Sequence, residues 1–179
     1  QKKLKYEIAQ NNIRTALKTA AEQNNLSVNE LKDVIAEEFD FKNGQSASSI
    51  HWKDCVVRPI CVGQQNCTLV CYDQDHNIIN PPPKGFQSSR DLKELWQYSR
   101  DVKKILNNHA KDLESYLLRQ RQWTYTFWQQ YVISNGLLGW LAGRLIWNLH
   151  RKDESLTLIQ AMFNGTDWHD ANGNLIEAD

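Results

Sequence analysis

Arg90-Asp-Leu-Lys-Glu-Leu-Trp-Gln-Tyr-Ser-Arg-Asp-Val-Lys-Lys-Ile-Leu-Asn-Asn-His-Ala-Lys-Asp-Leu-Glu-Ser-Tyr-Leu-Leu-Arg-Gln-Arg-Gln122 contains neither glycine nor proline. Leu92, Leu95, Val102, Leu106, Leu113 and Tyr116 recur in it at near-heptad spacing, and Ser99 and His109 complete the stripe. That pattern predicts a helix over 90–122 with one apolar face, started by Ser88 or Ser89. At 1.5 Å per residue it would be about 50 Å long, enough to span a domain. Such a stripe can be a coiled-coil seam. Interrupted by Ser99 and His109, it fits better against its own domain.

Upstream the period changes. Residues 50–62 and 66–72 are rich in Val, Ile, Cys, Thr and Tyr, as strands are, with a turn at Gly63-Gln64-Gln65-Asn66. Asp73-Gln74-Asp75-His76-Asn77 is a second turn before a short Ile78-Ile79. Pro81-Pro82-Pro83 then forbids ladder hydrogen bonds, so a meander of two or three strands ends there. Lys42 to Ser49 is expected as a loop by its Gly, Asn and Ser content. Earlier still, residues 4–23 have helical spacing, and Asn24-Asn25 ends them. Ser27, with Glu30 three residues on, predicts a capping box opening a second helix.

Downstream, Thr124 is placed to cap a short helix reaching Tyr131 or Val132. Asn135-Gly136 punctuates, and Leu137, Leu138, Leu141 and Leu145 make a further amphipathic helix that runs into Ile146-Trp147-Asn148-Leu149. Residues 156–163 read as a strand, and Asn164-Gly165 and Asn172-Gly173 are turn dipeptides at hairpin spacing. Tyr72 to Ile79 and Trp168 to Ile176 read alike, both being acidic turns that feed short apolar strands. The expected architecture is α+β: an N-terminal helical hairpin, a small antiparallel β-meander, a long central helix, short helices and a C-terminal β-hairpin. Residues 1–179 are expected to form one domain, part of a larger multidomain protein.

Composition narrows the function classes. Lys+Arg and Asp+Glu are both 21, so the global charge that draws nucleic acid or anionic membranes is absent. With 41% hydrophobic and 23% charged residues, the 179-residue chain is ordinary for a globular domain. The apolar run Gly136 to Gly143 is far shorter than the ~20 residues a membrane span needs. The charged start, Gln1-Lys-Lys-Leu-Lys-Tyr-Glu7, is no signal peptide. A cytoplasmic protein is expected.

Cys55, Cys61, Cys67 and Cys71 are spaced C-x5-C-x5-C-x3-C. Zinc knuckles want closer pairs, so buried free thiols are the expectation, ahead of a disulfide or a zinc site. Phosphate loops, zincin motifs and nucleophile elbows do not occur. His150 and His169 with Asp153, Asp167 and Asp170 could form a metal cluster, and Asp73 to Asn77 offers oxygen ligands at alternate positions. Turn chemistry explains both better. No catalytic residue, cofactor or metal ligand is assigned.

The compositional anomaly is tryptophan, seven of them. Trp123 and Trp128, with Tyr125, Phe127 and Tyr131, form an aromatic knot preceded by Arg119 and Arg121. Arginines among aromatics can stack single strands or make a protein hot spot. The simpler account is a core corner where the long helix turns back. Arg119, Arg121, Trp123, Trp128 and Arg144 are the candidate interaction surface, extended by Arg151 for nucleic acid.

Leu113-Glu114, Arg121-Gln-Trp123, Leu137-Leu138 and Leu141-Ala-Gly-Arg-Leu-Ile-Trp147 follow an order that resembles a recurrent bacterial pattern. Met162-Phe-Asn-Gly-Thr-Asp-Trp-His-Asp-Ala-Asn-Gly173 and Leu26-Ser-Val-Asn-Glu-Leu-Lys-Asp33 resemble its flanking elements. The chain is similar, over most of residues 13–176, to the uncharacterised domain of large bacterial MolR-type proteins, which carry the name of molybdate metabolism regulators. Asn148 departs from that pattern, where Gly is usual, and so does Ser134-Asn135-Gly136, where a proline lead is usual. The resemblance implies a domain of unknown function within a longer chain, beside helical repeats and sometimes a WGR module. It implies no catalytic residue. The expected role is a non-enzymatic protein-interaction or scaffold domain whose partners are proteins. The alternatives are a nucleic-acid-associated regulator and part of an enzyme completed by flanking domains.

Overall fold

The structure is a computed structural model and describes residues 2–34, 39–63, 65–150, 158–164 and 167–176. The chain divides into two compact units, residues 1–37 and 38–179. In the first unit, α1 (Lys2–Gln23) and α2 (Val28–Val34) pack on each other. Asn25 closes α1 in the left-handed conformation, φ 53°. The Leu26 N–H reaches back to the Ala21 carbonyl at 2.9 Å and the Asn25 N–H to Glu22 at 3.2 Å. This pair of bonds is the Schellman stop, and asparagine tolerates it through its short polar side chain. Ser27 then opens α2 through the reciprocal box. Its N–H donates to the Glu30 carboxylate at 2.7 Å, and the Glu30 N–H donates to the Ser27 hydroxyl at 3.1 Å.

The second unit begins with a five-stranded antiparallel sheet: β1 (Phe41–Lys42), β2 (Gln45–Ser46), β3 (Ile50–Trp52), β4 (Cys55–Val62) and β5 (Asn66–Tyr72). β4 is the central strand, with β2 and β3 along one edge and β5 along the other. Two turns depart from the expectation. The stretch from Lys42 to Ser49, expected as a loop, holds the turn and second strand of the β1–β2 hairpin, because Asn43 (φ 51°) and Gly44 (φ 75°) supply the two left-handed residues of a tight hairpin turn. The run 50–62 is two strands, broken at Lys53 (φ 53°), with Trp52 facing Cys55 across the turn. The Cys55 thiol donates to the Trp52 carbonyl at 2.9 Å and closes that turn.

α3 (Lys93–Leu118) crosses this sheet and packs on β5. The stripe is buried as its spacing requires: Leu92, Leu95, Ser99, Val102, Leu106, Leu113 and Tyr116. Ser99 is the polar member, and its hydroxyl donates to the Cys67 carbonyl at 2.9 Å, satisfying a buried group on the sheet. Both ends fall short of 90–122. Leu92, without a side-chain cap, precedes the first turn, and neither Ser88 nor Ser89 caps it. At the far end Gln120 turns left-handed (φ 50°), and the Arg121 N–H bonds back to the Tyr116 carbonyl at 3.0 Å. Nothing in the composition of this polar end distinguishes Gln120 from the helical residues before it.

Thr124 caps α4 (Tyr125–Phe127), accepting from the Phe127 N–H at 3.3 Å, and the chain widens into a π-helical turn over Trp128–Ile133. Asn135 caps α5 (Gly136–Ala142) with its side-chain oxygen, 3.1 and 2.9 Å from the N–H groups of Leu137 and Leu138. α5 stops at Ala142. Residues expected to continue it form β6 (Ile146–His150), which pairs with β7 (Leu158–Phe163), followed by β8 (Trp168–His169) and β9 (Leu175–Ile176) in a four-stranded sheet. The Trp147 indole donates to the Ala142 carbonyl at 2.9 Å and ties β6 to the helix end.

Candidate functional site

The knot at 123–131 is a corner of the core. Trp128, 4% exposed, lies in contact with the rings of Trp147, Phe163 and Trp168, their centroids 4.9–5.4 Å from its own. Trp123 bridges Tyr116 on α3 and Trp147 on β6 at 5.6 and 5.7 Å, both edge-on, the arrangement ring quadrupoles favour. The chain returns here from α3 to the second sheet, and the π-helical turn seats Trp128 between them.

The candidate residues divide. The Arg121 guanidinium stands 4.3 Å over Tyr116 and 4.6 Å over Trp123. In the Schellman stop of α3, Arg121 and Tyr116 hold the two positions that usually make an apolar contact, and here a cation on a ring takes its place. Arg121, Trp123 and Trp128 are thus one connected structural cluster. Arg119 is exposed at the end of α3. Arg144 is exposed and stands 5.0 Å over a different ring, that of Trp140. Arg151 lies outside the described residues, as do Asp153 and the 156–157 end of the expected strand.

Arg144 and Trp140 border an open cleft of about 330 Å³ that sequence reading did not foresee. Its walls come from the β1–β2 hairpin (Phe41, Lys42, Asn43), the π-helical turn and α5 (Ile133 to Gly136, Gly139, Trp140, Gly143, Arg144) and the end of β7 (Phe163, Asn164). Glycine is required here for close packing. A Cβ on Gly139 would lie 2.2 Å from the Ile133 carbonyl oxygen, and one on Gly136 would lie 2.4 Å from that of Phe41.

All four cysteines lie on the buried face of the β4–β5 hairpin as free thiols, in two pairs. Cys61 and Cys67 are register partners. The hydrogen bond with Cys67, then burial, pushes the Cys61 thiol up, so the proton stays on it. Burial, then the neighbouring Cys55, pushes Cys71 up to about 12. Cys61 and Cys71, protonated and enclosed, are therefore poor nucleophiles. Among the described residues no His, Cys, Asp or Glu group is arranged to hold a metal ion.

The two acidic turns share one structure. Asp73 accepts from the N–H groups of Asp75 (2.9 Å) and Asn77 (2.8 Å) through one oxygen and from the Asn77 amide (3.3 Å) through the other. Asp170 does the same with Asn172 (2.8 Å), Asn174 (2.8 Å) and the Asn174 amide (3.0 Å). His76 and Gly173 take the matching left-handed position. The carboxylates that could suggest calcium are occupied in closing their own turns. These bonds hold both carboxyls below the usual range, chiefly through Asn77 for Asp73 and Asn174 for Asp170. Below the unfolded carboxyl value of about 3.9 the unfolded chain binds more protons, so this stabilisation is lost as pH falls through the lower folded values. The urea midpoint should therefore fall from about pH 5 downward, and D73N/D170N should flatten that acid slope relative to the parent.

Fold and site together define an α+β domain whose central aromatics and one arginine are built into its own core. Residues 78–179, more than half of the chain, match a domain of unknown function (DUF4132), and the chain belongs to that family. No curated protein and no solved structure matches it.

Proposed function

We propose that this domain is a non-enzymatic interaction or scaffold module, working in the cytoplasm within a larger bacterial protein of the MolR type. The observation that carries the reading is the solvent face of the C-terminal sheet. Ile146, Met162, His169 and Leu175 stand in one row across all four strands. Ile146 is 65% exposed, Met162 47% and Leu175 62%. Asn148 and Gln160, cross-strand partners, continue the same face. None of the six is Lys, Arg, Asp or Glu. A face without charge offers nothing to a phosphate backbone and suits a partner surface that is itself apolar and uncharged. The engagement of Arg121 with two rings weighs against the nucleic-acid alternative, which needed that side chain for phosphates. No helix among the described residues is long and apolar enough to cross a membrane. Four free thiols suit a reducing compartment.

The test places the photo-crosslinking residue p-benzoylphenylalanine at position 162 of the intact bacterial chain. The expected result is a discrete adduct with another protein that persists at high salt and disappears in Ile146→Lys and Leu175→Lys. An adduct with nucleic acid, an adduct with a second copy of the chain, or one indifferent to both substitutions would overturn the reading.

A further inference from the structure

We propose that the cleft between the β1–β2 hairpin, α5 and the end of β7 is a binding site for a small organic anion bearing a carboxylate or phosphate, held by Arg144 and Lys42. Its volume, about 330 Å³, lies at the lower end of the range for small-molecule pockets. Among the described residues the charge of its lining is one-sided: Lys42 and Arg144 are cationic, and no Asp or Glu borders it. The ion pairs among the described residues are Lys18–Glu22 and Lys104–Asp101, so neither cleft cation is neutralised by a carboxylate there.

The geometry favours recognition over simple exposure. Trp140 is held from below by Gly44, where a Cβ would meet the ring at 2.9 Å. Arg144 stands 5.0 Å over that ring. A guanidinium fixed over an indole keeps its planar fork of N–H donors available, the shape that matches a carboxylate or phosphate through two parallel bonds. The Trp140 indole N–H is itself buried without a hydrogen-bond partner. Asn164, at the rim, is already engaged: its amide meets the His169 ring at 2.8 Å, and its oxygen accepts from the Asp167 N–H at 2.8 Å. The cations, not the amides, therefore set the ligand's charge. Two cations bordering a cleft of this size fit a compact anion and are too few for a polyanion's track.

Solution NMR on the full chain reads this directly, following the Trp140 indole N–H and the Gly143 and Arg144 amides during titration with inorganic phosphate and, separately, with malonate. Sodium chloride at matched ionic strength is the reference. The expected result is a saturating shift confined to the cleft with at least one probe. Phosphate alone would assign a phosphoryl group, and malonate alone a carboxylate. Arg144→Gln should weaken binding about tenfold or more, through loss of a charge-assisted fork, and Lys42→Gln less. Both side chains are exposed, so the thermal midpoint should not move. Shifts that match chloride, do not saturate, or survive Arg144→Gln would overturn the site.

Discussion

Trp128→Ala should destabilise the second unit by about 3–5 kcal/mol, enough to leave a domain of ordinary stability largely or wholly unfolded at 37 °C. The ring is 4% exposed and touches three other aromatic side chains drawn from β6, β7 and β8. Its loss removes the transfer free energy of a large side chain and leaves a cavity whose other walls are rigid rings. Trp128→Phe separates the contributions. The Trp128 indole N–H is buried with no hydrogen-bond partner, so phenylalanine keeps most of the packing while removing an unsatisfied donor. It should lose less than half of what alanine loses. Urea unfolding followed by far-UV circular dichroism gives both numbers. Equal losses for Ala and Phe would mean that ring contact is not what holds the corner.

The same residue shows what can be read from sequence. The stripe of α3 was legible because a 3,4 spacing of apolar residues has one physical reading on a helix, and seven of its eight positions from Leu92 to Tyr116, all but His109, are buried. Ser27 with Glu30 and Thr124 were legible because caps are local: donor and acceptor lie within three residues. The likeness of the two acidic turns was legible for the same reason. The stop at Gln120 was not, since its left-handed backbone is held by Arg121 resting on Tyr116 and Trp123, a contact that exists only once the chain has turned back. The β1–β2 hairpin had its Asn43-Gly44 signal, but two-residue strands carry no period to confirm it. The site fared similarly. Arg121, Trp123 and Trp128 are adjacent in sequence and stay together. Arg144 lines the same cleft as Lys42 and Asn43, about a hundred positions earlier, and no local pattern brings those together.

Residues 78–179 expressed alone, the span that matches the family, should not fold cooperatively, whereas residues 38–179 should. The family match begins after β5, yet α3 packs on that strand. Leu92 and Leu95 share a buried cluster with Val57, Leu69 and Cys71, and Val102 and Leu106 share the other with Phe41, Cys61 and Cys67. Ser99 donates to Cys67 across the same boundary. Removing the first sheet would return one full face of α3 to water. At about 1.5–3 kcal/mol for each buried aliphatic side chain, those four residues alone represent a loss comparable to the whole stability of a domain, about 5–15 kcal/mol. The physical unit thus extends some forty residues upstream of the matched region, to the break between the two compact units. Near-ultraviolet circular dichroism and amide dispersion of the two pieces decide it. A dispersed spectrum and sharp thermal transition from 78–179 would show that α3 finds another partner for its stripe. Collapse of 38–179 as well would move the boundary back into the N-terminal helices.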